Sequence, residues 1–157
     1  MDWVRLHLVV NHFPVILIMA GSLAAITALL SRFPGVWRYA YVTVLLAALT
    51  SPVAYVTGLM AEEPVEDAWF VEHSEVEEHE ETGLYALVAL LAAGVTAAIA
   101  WWRPKRATNG LFLVVTLLAA IATGYAALEG GEIVHDSPAL LHGPGAQPAP
   151  SGGPPGR

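Results

Sequence analysis

The chain has 157 residues and no cysteine. Disulfides, thiolate zinc sites, iron–sulfur clusters and haem attached through CxxCH are therefore excluded. Charge is scarce too. Only 13% of residues are charged, against ~25% in an average globular protein. Bases are the scarcer sign: seven against fourteen acids, for a net charge of −7. Such a chain cannot track a phosphate backbone, and a nucleic-acid partner is excluded.

Hydrophobic residues make up 55% of the chain, and the mean hydropathy is +0.55. Four apolar runs stand out: Phe13 to Leu30, Tyr39 to Met60, Gly83 to Trp102 and Leu111 to Leu128. Each is long enough to cross a ~30 Å hydrocarbon layer as a helix rising ~1.5 Å per residue. The expected fold is all-α, an integral membrane four-helix bundle over residues 1–135. Its spans fall at about 12–30, 39–61, 82–102 and 110–129, and a bundle of this kind is held by its apolar helix contacts. Residues 136–157 hold six of the eleven prolines. That composition cannot bury a core and predicts a disordered tail.

The bases set an orientation. Arg32, Arg38, Arg103, Lys105 and Arg106 are five of the seven, and all fall in the first and third loops. The positive-inside rule makes those loops cytoplasmic. The expected location is the inner (plasma) membrane, multi-pass, with both termini outside the cytoplasm. All six histidines and all fourteen carboxylates then share the outer, periplasmic face. Ten of those acids and no base lie between Ala61 and Glu81.

Local signals sharpen the helix ends. Pro14 is tolerated only in a first turn, so the first helix starts regularly near His12 or runs kinked from near Leu6. Ser51-Pro52 predicts a kink in the second. Pro64 to Phe70 suits a short interfacial helix. Ser74 and Glu77 form a capping box that starts the third helix near Ser74. Val76, His79, Gly83 and Ala86 then share one stripe, which turns His79 into the bundle with Glu80 beside it. His7, His73 and His142 are expected to be exposed.

The residues suited to chemistry are His12, Glu62 or Glu63, His79, Glu80, Glu129, Glu132 and His135. Each helix contributes at least one from its outward end, which is how a bundle assembles a cofactor site. Glu132-x-x-His135 has the Glu-x-x-His spacing of di-iron carboxylate bundles. The second such motif is missing, because Val76 stands three residues before His79.

Three motifs together carry a resemblance. They are Leu6 through Asn11-His12-Phe13-Pro14; Thr57-Gly58 to Ala61-Glu62 followed by His79-Glu80; and Gly130-Gly131-Glu132-Ile133-Val134-His135. Over residues 6–135 the chain resembles a group of small bacterial four-span membrane proteins with an N-terminal (N)HFP motif. That group is similar to proteins proposed to work with cytochromes or metals in the envelope. The resemblance implies His12, Glu62, His79, Glu80 and His135 as the site.

The function expected is cofactor binding at the outer end of the bundle, in an envelope redox or metal-related process. His12 and His79 would ligate a b-type haem. Alternatively, His12, Glu62, His79, Glu80, Glu132 and His135 would hold or surround iron, copper or zinc. The other reading is a non-catalytic membrane subunit. Its partners would be the lipid bilayer and either a larger membrane complex or a basic periplasmic protein, such as a soluble cytochrome, docked on the acidic loop. No nucleophile–base pair or nucleotide motif identifies an enzymatic reaction. A conducting path is disfavoured, since the helix centres hold no ionisable residue.

Overall fold

The computed structural model describes residues 2–31, 33–66 and 73–136, with side chains described at 2–31, 33–61 and 77–132. Five helices follow one another: α1 (Trp3–Val10), α2 (His12–Leu30), α3 (Pro34–Glu66), α4 (His73–Trp102) and α5 (Arg106–Asp136). No strand occurs among the described residues. Taken together, α1 and α2 form one apolar length, Trp3–Leu30. With α3, α4 and α5 it makes four helices long and apolar enough to cross a membrane.

The first apolar helix takes the longer of the two forms expected, starting before His12 and interrupted ahead of Pro14. Asp2 caps α1, accepting from the Arg5 backbone N–H at 3.2 Å. The helix then breaks at Asn11 and resumes at His12. Pro14 explains the place: it has no N–H to offer the carbonyl four residues back, at Val10. The remaining helices outrun the spans drawn from hydropathy. α3 begins at Pro34 and ends at Glu66, α4 begins at His73, and α5 runs on to Asp136. Hydropathy registers only the apolar part of a helix, and the backbone ladder continues into polar sequence. The start of α4 lies within one residue of the capping serine. α3 carries straight through Pro64; the rest of the expected interfacial helix, from residue 67, lies outside the described residues, as does the tail 137–157.

Pro52 does not end α3. It removes the donor for the Ala48 carbonyl, and the Ser51 hydroxyl donates to that same carbonyl at 3.0 Å. A backbone acceptor inside the bundle thus keeps a partner, as a low-dielectric setting requires.

The helices approach closely because small residues line their contacts. A Cβ at Gly21 would lie 2.6 Å from Val44 Cγ2, and one at Gly94 would lie 2.5 Å from Ala48 Cβ. Ala25, Ala47, Ala93, Ala97 and Ala119 are fully buried around Ile18, Val44 and Phe112. The opposite faces expose Leu23, Leu30, Leu49, Ile121 and Leu128, a wall suited to lipid rather than water. At the end that carries Arg38 and Arg103, aromatic rings close the bundle. Tyr41 meets Phe112 edge-on at 5.0 Å and stacks on Trp37 at 6.1 Å. Its hydroxyl donates to Asn109 Oδ1 at 2.8 Å, and the Arg38 guanidinium sits 5.9 Å from the Trp101 ring centre.

Candidate functional site

The acidic end is built differently. There a cavity of about 190 Å³ opens between α1, the start of α2, α3, α4 and α5. Its walls are largely apolar, from residues such as Leu8, Val15, Leu87 and Leu90, and two imidazoles line it, those of His7 and His79. Their ring centres are 6.4 Å apart, with the planes at 71°.

Each imidazole is seated on a glycine. A Cβ at Gly58 would come 3.1 Å from His7 Cε1. A Cβ at Gly130 would come 2.8 Å from His79 Cε1, closer than real side-chain contacts allow. Any other residue at Gly130 must push the His79 ring or the α5 backbone aside. The glycines therefore admit the rings against the backbones of α3 and α5.

The two rings differ in their partners. His7 Nδ1 donates to the Ala54 carbonyl on α3 at 3.0 Å, with Thr57 Oγ1 at 3.4 Å. The Thr57 hydroxyl is already committed to the Val53 and Ala54 carbonyls, each at 2.9 Å. His7 is thereby fixed as the tautomer that keeps its lone pair on Nε2. The His79 ring lies beside the Ala126 carbonyl of α5, four residues before Gly130, as the His7 ring lies beside Ala54 four residues before Gly58, but its buried Nδ1 makes no hydrogen bond of regular geometry. Beside it, the Thr82 hydroxyl lies between the His79 carbonyl, at 3.1 Å, and the Glu129 carboxylate of α5.

His79, Gly83 and Ala86 line the cavity together, as the small-residue stripe predicts. Glu80 stands at the rim, with its side chain exposed. His12 does not join them. Its imidazole is exposed, and its Nδ1 donates to the Leu8 carbonyl one turn back. Glu132 is exposed on α5. Glu62 and His135 lie on the backbones of α3 and α5, and their side chains fall outside the described residues. Among the described residues, no group of three or more histidines and carboxylates is close enough to enclose a metal ion.

The residue that takes the place expected for His12 is His7. A signal for it exists in the sequence. Val4, His7, Leu8, Asn11, Pro14 and Val15 all line the cavity, at steps of three, one, three, three and one. That is the stripe of a single helix face, and it becomes visible once the helix is started at Trp3 rather than His12.

No family model, curated protein or solved structure matches the chain. Class alone follows from the fold: a helical protein with four helices able to span a membrane and two imidazoles facing one apolar cavity near one end.

Proposed function

We propose that the chain is a multi-pass protein of the plasma membrane that binds a transition-metal ion through His7 and His79. In this reading the acidic end of the bundle faces outward. The pairing of the two rings across one cavity carries the reading. A ligating imidazole commonly donates its other nitrogen to a backbone carbonyl, which orients the ring and raises its basicity. The hydrogen bond from His7 Nδ1 to Ala54 supports that role for His7. The His79 ring has the same setting, beside the Ala126 carbonyl of α5, which supports the same role for it. With metal–nitrogen distances of ~2.0–2.1 Å, two rings on one ion have centres about 5–6 Å apart. The observed 6.4 Å is slightly wider, within reach of a small side-chain rotation.

Two imidazoles alone leave coordination positions open, as in sites where a metal receives water or a further ligand. Glu80 at the cavity rim and Glu129, which accepts from Thr82 beside His79, are carboxylates available to complete the set, with Glu62 and His135 on the same ends of α3 and α5. The cavity volume favours an ion over haem. About 190 Å³ is below the ~300–1,000 Å³ of ordinary small-molecule sites, and a porphyrin is large for that class. Elemental analysis and an absorption spectrum of the purified protein test the reading. Near-stoichiometric iron, copper or zinc without a Soret band is expected. A Soret band would replace the ion with haem, and neither signal would overturn both.

The acidic surface supports one further role. Glu77, Glu78, Glu80, Glu81 and Glu132 are exposed at this end, and they would steer a basic soluble protein toward the site. Association with a basic cytochrome that weakens steeply with salt would support it; salt-independent association would not.

A further inference from the structure

His7 and its partners on α3 recur further along the chain. The His7 ring donates to the Ala54 carbonyl, 47 residues on, and packs on Gly58. The His79 ring stands beside the Ala126 carbonyl and packs on Gly130. Each residue of the second set lies 72 positions after its counterpart in the first. The same step carries Ala25 onto Ala97, Ala28 onto Ala100 and Ala47 onto Ala119. Burial follows it without exception. Among the described side chains, every residue buried in α4 and α5, from Ala86 to Ala126, has a buried counterpart 72 positions earlier, from Pro14 to Ala54. The helices α1, α2 and α3 thus form one helical hairpin, and α4 and α5 form a second on the same plan.

The seat has a local cause. In a helix each Cα–Cβ bond tilts toward the N-terminus, so the side chain at i+4 covers the carbonyl at i. Glycine at i+4 leaves that carbonyl, Ala54 or Ala126, open to a donor at its second lone pair. A carbonyl can only accept, so the ring nitrogen that pairs with it carries the proton and the other keeps its lone pair. The halves differ beside the seat. Val10 and Thr57 of the first correspond to Thr82 and Glu129 of the second, which are hydrogen-bonded to each other.

We infer that the bundle is a tandem repeat of one hairpin, and that His7 and His79 are equivalent ligands of one ion, each offering Nε2 from the same tautomer. The ion rests on the metal reading; the repeat and the shared tautomer stand without it. Thr82 and Glu129 are additions of the second half that the imidazole seat does not need.

Nitrogen NMR of the imidazoles tests this on the full chain, carrying isotope-labelled histidine, in detergent at about pH 8, above the ordinary imidazole value of ~6.5. His7→Ala and His79→Ala assign the two rings. Both rings are expected as the Nδ1–H tautomer, and equimolar zinc should shift both Nε2 signals together. Thr82→Val/Glu129→Thr, which gives the second seat the residues of the first, should keep His79 in that tautomer and keep both shifts. His79 as the Nε2–H tautomer, a zinc shift confined to one ring, or a changed His79 tautomer in the double variant overturns the inference. Zinc that shifts neither ring, with both tautomers as expected, overturns the ligand role and the metal reading with it, while the repeat stands.

Discussion

Gly130 on α5 has no side chain where the His79 ring of α4 lies: a Cβ there would stand 2.8 Å from His79 Cε1. The contact gives a graded series. Gly130→Ala must displace the ring, and bound metal should fall several-fold while the bundle stays folded. Gly58→Ala places its methyl 3.1 Å from His7 Cε1, and the loss should be smaller. Gly131→Ala meets nothing within 4 Å; it should keep its metal and gain up to ~1 kcal/mol in helix stability. Metal content and detergent unfolding of the three proteins check the order.

That series depends on a contact between distant segments, and this is where sequence reading stops. The four helices long and apolar enough to cross a membrane were legible, because apolar length alone marks them. The inward turn of His79 was legible too, since Gly83 and Ala86 mark its face. His7 was not, because starting the helix at His12 hid the stripe from Val4 to Val15. Pro14 allowed both starts. The longer form prevails, with α1 lying against α3, where Ala54 receives the His7 ring. Which glycine seats which ring depends on how the helices are rotated against one another, and no local signal carries that.

Ser51 should matter more than a buried serine usually does. Its hydroxyl serves the Ala48 carbonyl that Pro52 leaves without a donor. Ser51→Ala should destabilise the bundle by about 1–3 kcal/mol, the cost of a buried unsatisfied acceptor. In Ser51→Ala/Pro52→Ala the backbone N–H returns, and most of that loss should be recovered. Unfolding of the single and double variants measures the difference.

Gly94 sets the separation of α3 and α4. Its absent Cβ would lie 2.5 Å from Ala48 Cβ, a methyl that cannot rotate away. Gly94→Ala should cost about 1–3 kcal/mol through overpacking. Adding Ala48→Gly should relieve it, and the double variant should unfold closer to wild type than Gly94→Ala does.

The orientation rests on Arg32, Arg38, Arg103, Lys105 and Arg106. Since the chain has no cysteine, single cysteines report without background. Ala68→Cys should react with an impermeant thiol reagent in intact cells, and Gly35→Cys only after the membrane is opened. The reverse pattern contradicts an outward-facing acidic end.

The central claim is that His7 and His79, and not His12, form the metal site. Metal content of purified wild type, His7→Ala, His79→Ala and His12→Ala tests it most directly. Wild type and His12→Ala should carry equal, near-stoichiometric metal, and His7→Ala and His79→Ala should each lose most of it without unfolding. Equal metal in wild type and a His7→Ala/His79→Ala double variant would contradict the account.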